Sequence, residues 1–217
     1  MKHRLIALFL VSISSTSICA EIRDYIYPYY NEPSYSNYGT IGLLQMPSAR
    51  FHPEGSVAFT WSHNEPYLRG SIVAYPFDWF EASYQYTDVN NKLYSDSLAF
   101  SGKQSYKDKS FDAKFRLLKE STYMPQLAIG FRDFGGSSLF AAEYIVASKL
   151  IGNVDFTLGM GFGTISNAAI SNPFKKLSPR FAERRLDTRG DTQGGEINYA
   201  TFLAGEKAGI FGGVEIF

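Results

Sequence analysis

The sequence has little cysteine, no net charge and no long apolar run, and each absence excludes a class of protein. Cys19 is the only cysteine, so no disulfide can form within the chain. Lys and Arg together number 21, as do Asp and Glu, so the composition favours neither nucleic-acid binding nor an acidic disordered chain. No segment approaches the ~20 consecutive apolar residues of a transmembrane helix. We therefore expect no membrane-spanning helix after export.

Residues 1–20 have the pattern of a secretory signal peptide. A basic start at residues 2–4 precedes a short apolar run at residues 5–13, and small or polar residues follow. This pattern predicts export with cleavage after residue 20. The alternative is a lipidated Cys19 as the first mature residue, which we rank second because Ile18 is larger than the residue expected before such a cysteine.

A change of period divides the rest of the chain. Residues 21–55 are interpreted as an extended N-terminal segment, whose first part is rich in Tyr, Pro, Asn and Ser and resembles a leader or a plug. Residues 56–217 alternate between apolar and polar side chains, which is typical of β-strands with two different faces. The predicted strands are 57–62, 68–74, 79–86, 111–118, 127–132, 140–146, 154–162 and 208–217, with a long loop at 163–207.

Charged residues occupy the polar faces of these strands. The clearest case is the strand in which Phe111, Phe115 and Leu117 alternate with charged residues. Such charges are costly in a dry core and are expected to face water. The predicted lumen-facing residues are Glu81, Gln85, Asp112, Lys114, Arg116, Arg132 and Glu143.

The connections favour a membrane barrel over a soluble sandwich. Short links at 76–78, 119–125 and 149–153 alternate with long links at 89–107 and 163–207, and outer-membrane barrels sort their turns and loops in this way. Aromatic residues near strand ends suit interfacial girdles. The predicted fold is an all-β, antiparallel transmembrane β-barrel of about eight strands, either complete or part of a larger barrel.

Catalytic and metal-binding patterns are weak. Ser62 and His63 are the best candidates for a nucleophile and a base, but adjacent strand residues point to opposite faces. The histidines show no ligand spacing, and the glycines of GFRDFGG at 130–136 suit a turn better than a phosphate loop. We therefore expect no enzyme activity, no metal and no cofactor.

Long stretches of the chain resemble the YjbH/GfcD family of outer-membrane proteins. They include GTIGLLQMPSARF at 39–51, AFSGKQSYKDKSFDAKFRLLKES at 99–121 and PQLAIGFRDFGGSSLFAAEYIVASK at 125–149. The resemblance implies an outer-membrane component of exopolysaccharide or capsule export or assembly. Members of that family are much longer and have further barrel strands, so this chain is interpreted as a truncated form.

Two other functions remain open from the sequence. One is a structural or porin-like barrel without a polymer role, and the other is a lipid-modifying barrel enzyme. The expected partners are outer-membrane lipids, with exopolysaccharide and other export proteins implied by the resemblance, and no nucleic acid. The expected location is the cell outer membrane.

Overall fold

The computed structural model describes residues 32–165, 170–184, 197 and 201–217. They lie within one compact unit, Asn31–Phe217. The predicted signal peptide, the beginning of the N-terminal segment and part of the long loop fall outside the described residues. In the described ranges, no helix has the length and apolar character needed to cross a membrane.

The described chain is all-β, as the sequence predicts. Eight principal strands correspond to the eight predicted ones and are joined by short elements. The principal strands are β3 (Val57–Asn64), β4 (Tyr67–Phe77), β5 (Phe80–Leu93), β6 (Ser105–Leu118), β7 (Gln126–Arg132), β8 (Ala142–Ile151), β9 (Val154–Gly163) and β11 (Lys207–Ile216). The short elements are β1 (Gly42–Leu43), β2 (Met46–Pro47), helix α1 (Leu98–Ser101), β10 (Ile170–Ser171) and two 3-10 turns, Pro173–Lys176 and Pro179–Phe181.

The strands form a nine-stranded antiparallel sheet in the order β10-β11-β9-β8-β7-β6-β5-β4-β3. Neighbours from β3 to β9 follow chain order, as expected for a series of hairpins, and β1 pairs with β2 in a separate ribbon. One of the tight hairpins joins β8 to β9, where Ile151 pairs with Val154. Its turn begins at Gly152, whose φ of 65° suits glycine.

The two ends of the sheet carry different connections. At one end, which we call the short-turn end, the links are residues 78–79, 119–125 and 152–153. At the opposite, long-loop end, the links are 65–66, 94–104, 133–141 and 164–206. The sequence predicts this sorting, and the short 65–66 link is an exception to it.

The sheet curls around residues 34–51, which we call the inner segment. Ser34 bonds to Glu215 of β11, while the carbonyl oxygen of Asn37 accepts from Ser62 of β3. Three residues span at most about 11 Å, whereas β3 and β11 would lie roughly 34 Å apart in a flat sheet with strands ~4.8 Å apart. The face that meets the inner segment is called the inner face, and the opposite one the outer face.

The curled sheet is not a closed barrel. Among the described residues, β3 pairs with β4 alone and β11 pairs with β9 and β10. The antiparallel β architecture is therefore confirmed, while closure between β3 and β11 is not observed.

Candidate functional site

Six of the seven predicted lumen-facing residues lie on the inner face. Glu81 pairs across the ladder with Lys114, Lys114 with Gly130, and Arg116 with Ala128. Because the pleat alternates every residue, this register also places three further residues on that face: Gln85, Asp112 and Arg132. All six are buried except Arg116, which is half-buried.

Glu143 corrects the prediction, because it lies on the outer face. Its ladder partners are Phe131 and Phe162, whereas its neighbour Tyr144 pairs with Gly130 of the inner face. Glu143 is nevertheless buried, because Arg184 of the long loop donates to both of its carboxylate oxygens, at 2.6 and 2.9 Å. It fastens the loop to the sheet instead of facing the inner segment.

The inner segment is bound by every principal strand. Each strand contributes one polar side chain that hydrogen bonds to residues 34–50, so polar groups of the inner face are covered by protein. The contributing residues, from β3 to β11, are Ser62, Ser71, Gln85, Lys114, Gln126, Ser148, Asp155 and Glu215.

Lys114 is the central cation of this face. Its Nζ lies 3.0 Å from Glu81 Oε2, with side chains only 1% and 2% exposed, and it donates to the carbonyl oxygen of Arg50 at 2.8 Å. The same ammonium lies 4.6 Å from the centre of the Phe51 ring. A charge buried this deeply is tolerated when it is paired and hydrogen bonded, so Lys114 couples the inner segment to the sheet.

Arg50 fastens the inner segment at the short-turn end. Its guanidinium donates to Asp155 through two nitrogens, at 2.8 and 2.5 Å, and to Glu120 at 2.5 Å. Paired donation of this kind fixes orientation as well as distance. A cavity of about 170 Å³ lies beside it and is lined in part by Gln126.

Tyr38 occupies the long-loop end of the inner face between two arginines. The guanidinium carbon of Arg69 lies 4.5 Å from the ring centre and that of Arg132 lies 3.6 Å from it. These arginines extend from β4 and β7, which are three strands apart. Both are buried, so the aromatic ring shields a cationic cluster and contributes favourable cation–π contacts.

Asp133 lies beside this cluster, immediately after β7. Its Oδ2 accepts from the backbone nitrogen of Phe140 at 2.9 Å, and its own backbone nitrogen donates to Asp112 at 2.8 Å. Burial raises the pKa of Asp133 to about 7, with added repulsion from Asp108 and Asp112. The loop at 133–141 is therefore held by a carboxyl group that titrates near neutral pH.

The outer face has the opposite character. Large apolar side chains on it are strongly exposed, such as Phe59 at 68%, Trp61 at 65% and Leu158 at 64%. On β5 and β6, an Asp78–Lys119 ion pair flanks the outer face at the short-turn end and an Asp88–Lys107 ion pair flanks it at the long-loop end. Between them the outward side chains are apolar except Lys109, which pairs across the ladder with Tyr86 near the long-loop end. Stacked aromatic rings at the short-turn end lie just inside the first of these pairs, and they are Phe77, Trp79, Phe80 and Phe115.

The candidate catalytic pair does not meet. The Ser62 hydroxyl faces inward and donates to the carbonyl oxygen of Asn37 at 2.7 Å. The imidazole of His63 instead lies 3.0 Å from Glu65. This arrangement gives Ser62 a structural contact with the inner segment.

Comparisons with known proteins agree with the resemblance found in the sequence. The model of the YjbH family, described as "Exopolysaccharide biosynthesis protein YbjH", matches residues 34–217. A relative from Escherichia coli (strain K12), described as "Uncharacterized lipoprotein YjbH", is 41% identical over 207 residues, which are 95% of this chain and 29% of the relative. No solved structure gives a significant match.

Proposed function

Because the chain belongs to the YjbH family of exopolysaccharide biosynthesis proteins, we propose that it is an outer-membrane β-barrel component of exopolysaccharide export or assembly. Family membership supplies the link to exopolysaccharide. This link is needed because a fold alone does not specify function. The membrane role rests instead on the structure. The observation that carries it is the combination of an exposed apolar outer face with a polar, covered inner face.

The height of the outer apolar band supports insertion in a bilayer. Asp78 and Asp88, the acidic members of the two bounding ion pairs, are ten residues apart on and next to β5. At a rise of ~3.3 Å per residue this is about 33 Å along the strand, and a tilt of ~40° leaves roughly 25 Å across the membrane. That height equals the apolar band typical of outer-membrane barrels.

The sorted connections indicate an orientation. Short turns of outer-membrane barrels face the periplasm and longer loops face outward. We assign the short-turn end, with its stacked aromatic rings, to the periplasmic side. The loops at 94–104, 133–141 and 164–206 would then face the exterior.

The open edges support the interpretation of the chain as a short form. An eight-stranded barrel encloses space for little more than its own side chains, yet this inner face already holds the inner segment, including the β1–β2 ribbon. Since β3 and β11 run in opposite directions, further strands between them preserve antiparallel pairing if their number is even. We propose that such strands complete a wider barrel, and the chain spans 29% of the relative's length.

Lipidation of Cys19 now becomes the preferred proposal for the start of the mature chain. The sequence alone ranks it second because of Ile18, but the 41% identical relative is described as a lipoprotein. Export through the predicted signal peptide and an acyl anchor at Cys19 both agree with an envelope location. Mass spectrometry of the mature N-terminus distinguishes an acylated Cys19 from cleavage after Ala20.

The proposed role is non-catalytic, with exopolysaccharide, outer-membrane lipids and other export proteins as partners. Separation of Ser62 from His63 supports this part of the proposal. A porin-like barrel without a polymer role and a lipid-modifying enzyme are the competing functions. They are separated by the phenotypes of a strain that lacks the gene.

The test combines location with secretion in the strain that carries the gene. We expect the protein in the outer-membrane fraction, and we expect extracellular polysaccharide to fall when the gene is deleted. Recovery of the folded chain in the soluble periplasm would contradict the membrane assignment. Unchanged polysaccharide with altered outer-membrane lipids would favour the enzyme, and no change in either would favour the porin-like barrel.

A further inference from the structure

The backbone-to-backbone hydrogen bonds of the inner segment lie within the segment itself. Its backbone hydrogen bonds close within it, as between Ser36 and Thr40, Gly42 and Ser34, and Ser48 and Ile41. The β1–β2 ribbon is likewise separate from the nine-stranded sheet. Among the described residues, no backbone ladder joins residues 34–51 to that sheet, so the segment can leave the inner face without breaking one.

Five of the eight principal strands bind the inner segment by donating from side chains to main-chain carbonyl oxygens. Lys114 Nζ donates to Arg50, Gln85 Nε2 donates to Tyr38 at 2.6 Å, and Gln126 Nε2 donates to Ala49. These three contacts do not depend on which side chains the segment carries. Hydroxyl and ring oxygens of a glycan accept hydrogen bonds from the same donors, so an extended sugar chain satisfies the chemical demands of this face.

Donors remain on the inner face after the segment is in place. Arg69 Nε and Arg132 Nη2 are buried and have no hydrogen-bond partner among the described residues, although the two side chains are only 3% and 4% exposed. Buried donors are normally paired, and a glycan oxygen is an acceptor that would satisfy these two. The face therefore offers more hydrogen-bonding capacity than the inner segment uses.

A cavity adjoins this face at the short-turn end. The cavity of about 170 Å³ beside Arg50 lies between the inner segment and the sheet, with Pro33, Gln126 and Asp155 among its lining residues. At that end, Arg50 holds the segment in place through its ion pairs with Glu120 and Asp155. A polar chain that enters here meets Arg50 first and then the side-chain donors of the inner face.

We propose that the inner face is a binding surface for an extended, hydroxyl-rich glycan, and that residues 34–51 are a displaceable plug whose main chain takes the glycan's place. This inference rests on the proposed function and specifies its site. The plug withdraws through the short-turn end when polymer binds. Arg69 and Arg132 then gain the partners that they lack beside the plug.

A reversible cross-link tests displacement. Ser148 Oγ accepts from the backbone nitrogen of Ala49 at 2.9 Å, so Ala49→Cys combined with Ser148→Cys places two thiols within reach of a disulfide between plug and sheet. The probe is the total extracellular polysaccharide extracted from the strain that carries the gene. Binding to the purified full chain is measured together with backbone hydrogen exchange in residues 36–48.

The reduced double variant is the matched control, because it has the same composition as the locked form. We expect the reduced variant and the unmodified chain to bind polysaccharide and to lose protection in residues 36–48. The oxidised variant should lose binding and keep protection. The two single variants, which cannot form the bridge, should each bind equally under oxidising and reducing conditions.

Two results would overturn the proposal. Equal binding by oxidised and reduced forms, with residues 36–48 still protected, would show that polymer binds elsewhere and that the plug is permanent. Absence of binding by the reduced form would show that the inner face is not a glycan surface. Neither result touches the proposed function, which the gene-deletion strain tests independently through its secreted polysaccharide.

Discussion

The inner and outer faces of one sheet follow opposite rules. The inner face buries charges such as Lys114 and Glu81 against a polypeptide segment, whereas the outer face exposes side chains such as Phe59 and Leu158. A water-soluble domain does the reverse, because apolar burial is its main source of stability. The difference is the one expected if the outer face meets lipid, as proposed, and it means that polar contacts hold the interior together.

The largest expected effect on stability comes from removing Lys114, the central cation of the inner face. Lys114→Ala leaves the Glu81 carboxylate buried without its partner at 3.0 Å, and breaking a buried pair costs about 3–5 kcal/mol. We expect loss of folded protein, measured by urea unfolding in detergent or lipid. Lys109→Ala, on the exposed side of the same strand, should change the free energy of unfolding by less than about 0.5 kcal/mol.

If both lysine variants unfold alike, the inner face does not depend on the ion pair. A second check replaces both partners, Glu81→Leu with Lys114→Leu. Because no unpaired charge remains, the double variant should recover much of the stability that Lys114→Ala loses. A double variant as unstable as the single one would show that the contacts of Lys114 with the inner segment dominate.

The outer face is tested by placing a cation on it. Phe111→Arg puts the charge on β6 within the apolar band, at a side chain that is 49% exposed, and should cost ~2–4 kcal/mol in a membrane. Phe100→Arg makes the same change in helix α1, beyond the band, at a side chain that is 77% exposed. We expect Phe111→Arg to reduce outer-membrane assembly and Phe100→Arg to leave it intact, measured by membrane fractionation.

Equal assembly of the two arginine variants would remove the argument for a lipid-facing surface. Both positions are exposed, so water would tolerate either substitution. A difference between them therefore reports the solvent that each side chain meets.

Packing inside the inner face gives a smaller effect. A Cβ added at Gly130 would overlap the ring of Tyr144 on the neighbouring strand, and overpacking costs about 1–3 kcal/mol. Gly135→Ala is the matched control, since the nearest atom to its added Cβ is 3.7 Å away in Phe111. Thermal unfolding should separate the two variants, and an unaffected Gly130→Ala would show that Tyr144 moves freely aside.

A further expected effect is a pH dependence at the long-loop end. The pKa of Asp133 is raised to about 7, mainly by burial, so the folded state favours the neutral acid. Its contribution to stability is complete below the ordinary pKa of an aspartate, about 4, and is lost as pH rises through about 7. Asp133→Asn should reduce this loss, measured as the change in unfolding midpoint between pH 5 and pH 8 relative to the unmodified chain. An identical slope would place the titration elsewhere.

The period-two pattern predicted the strands well because both faces have strong and opposite character. The pattern failed at Glu143, a charged residue that lies on the outer face. The strand around Tyr144 is apolar on both sides, so the charge suggested an inward direction, and the register with Gly130 that decides otherwise is a long-range contact. Arg184, which compensates the carboxylate, lies far along the chain in a loop without a periodic pattern.

The contacts of the inner segment were also beyond the sequence pattern. Residues 39–51 were noted for family resemblance and the preceding stretch for plug-like composition, but Arg50 gave no sign that it pairs with Asp155, 105 positions later. The barrel prediction implied a curved sheet, but the contacts that accompany the curvature were not predictable. In these contacts, side chains of many strands converge on one segment, such as Arg69 and Arg132 on Tyr38.

The bond between Ser34 and Glu215 has a consequence for the order of folding. These residues are 181 positions apart, so the first part of the inner segment to leave the ribosome gains its partner only after β11 has been delivered. Contacts of such long range slow folding. The contacts of the inner segment with the sheet are therefore completed only after β11 has formed.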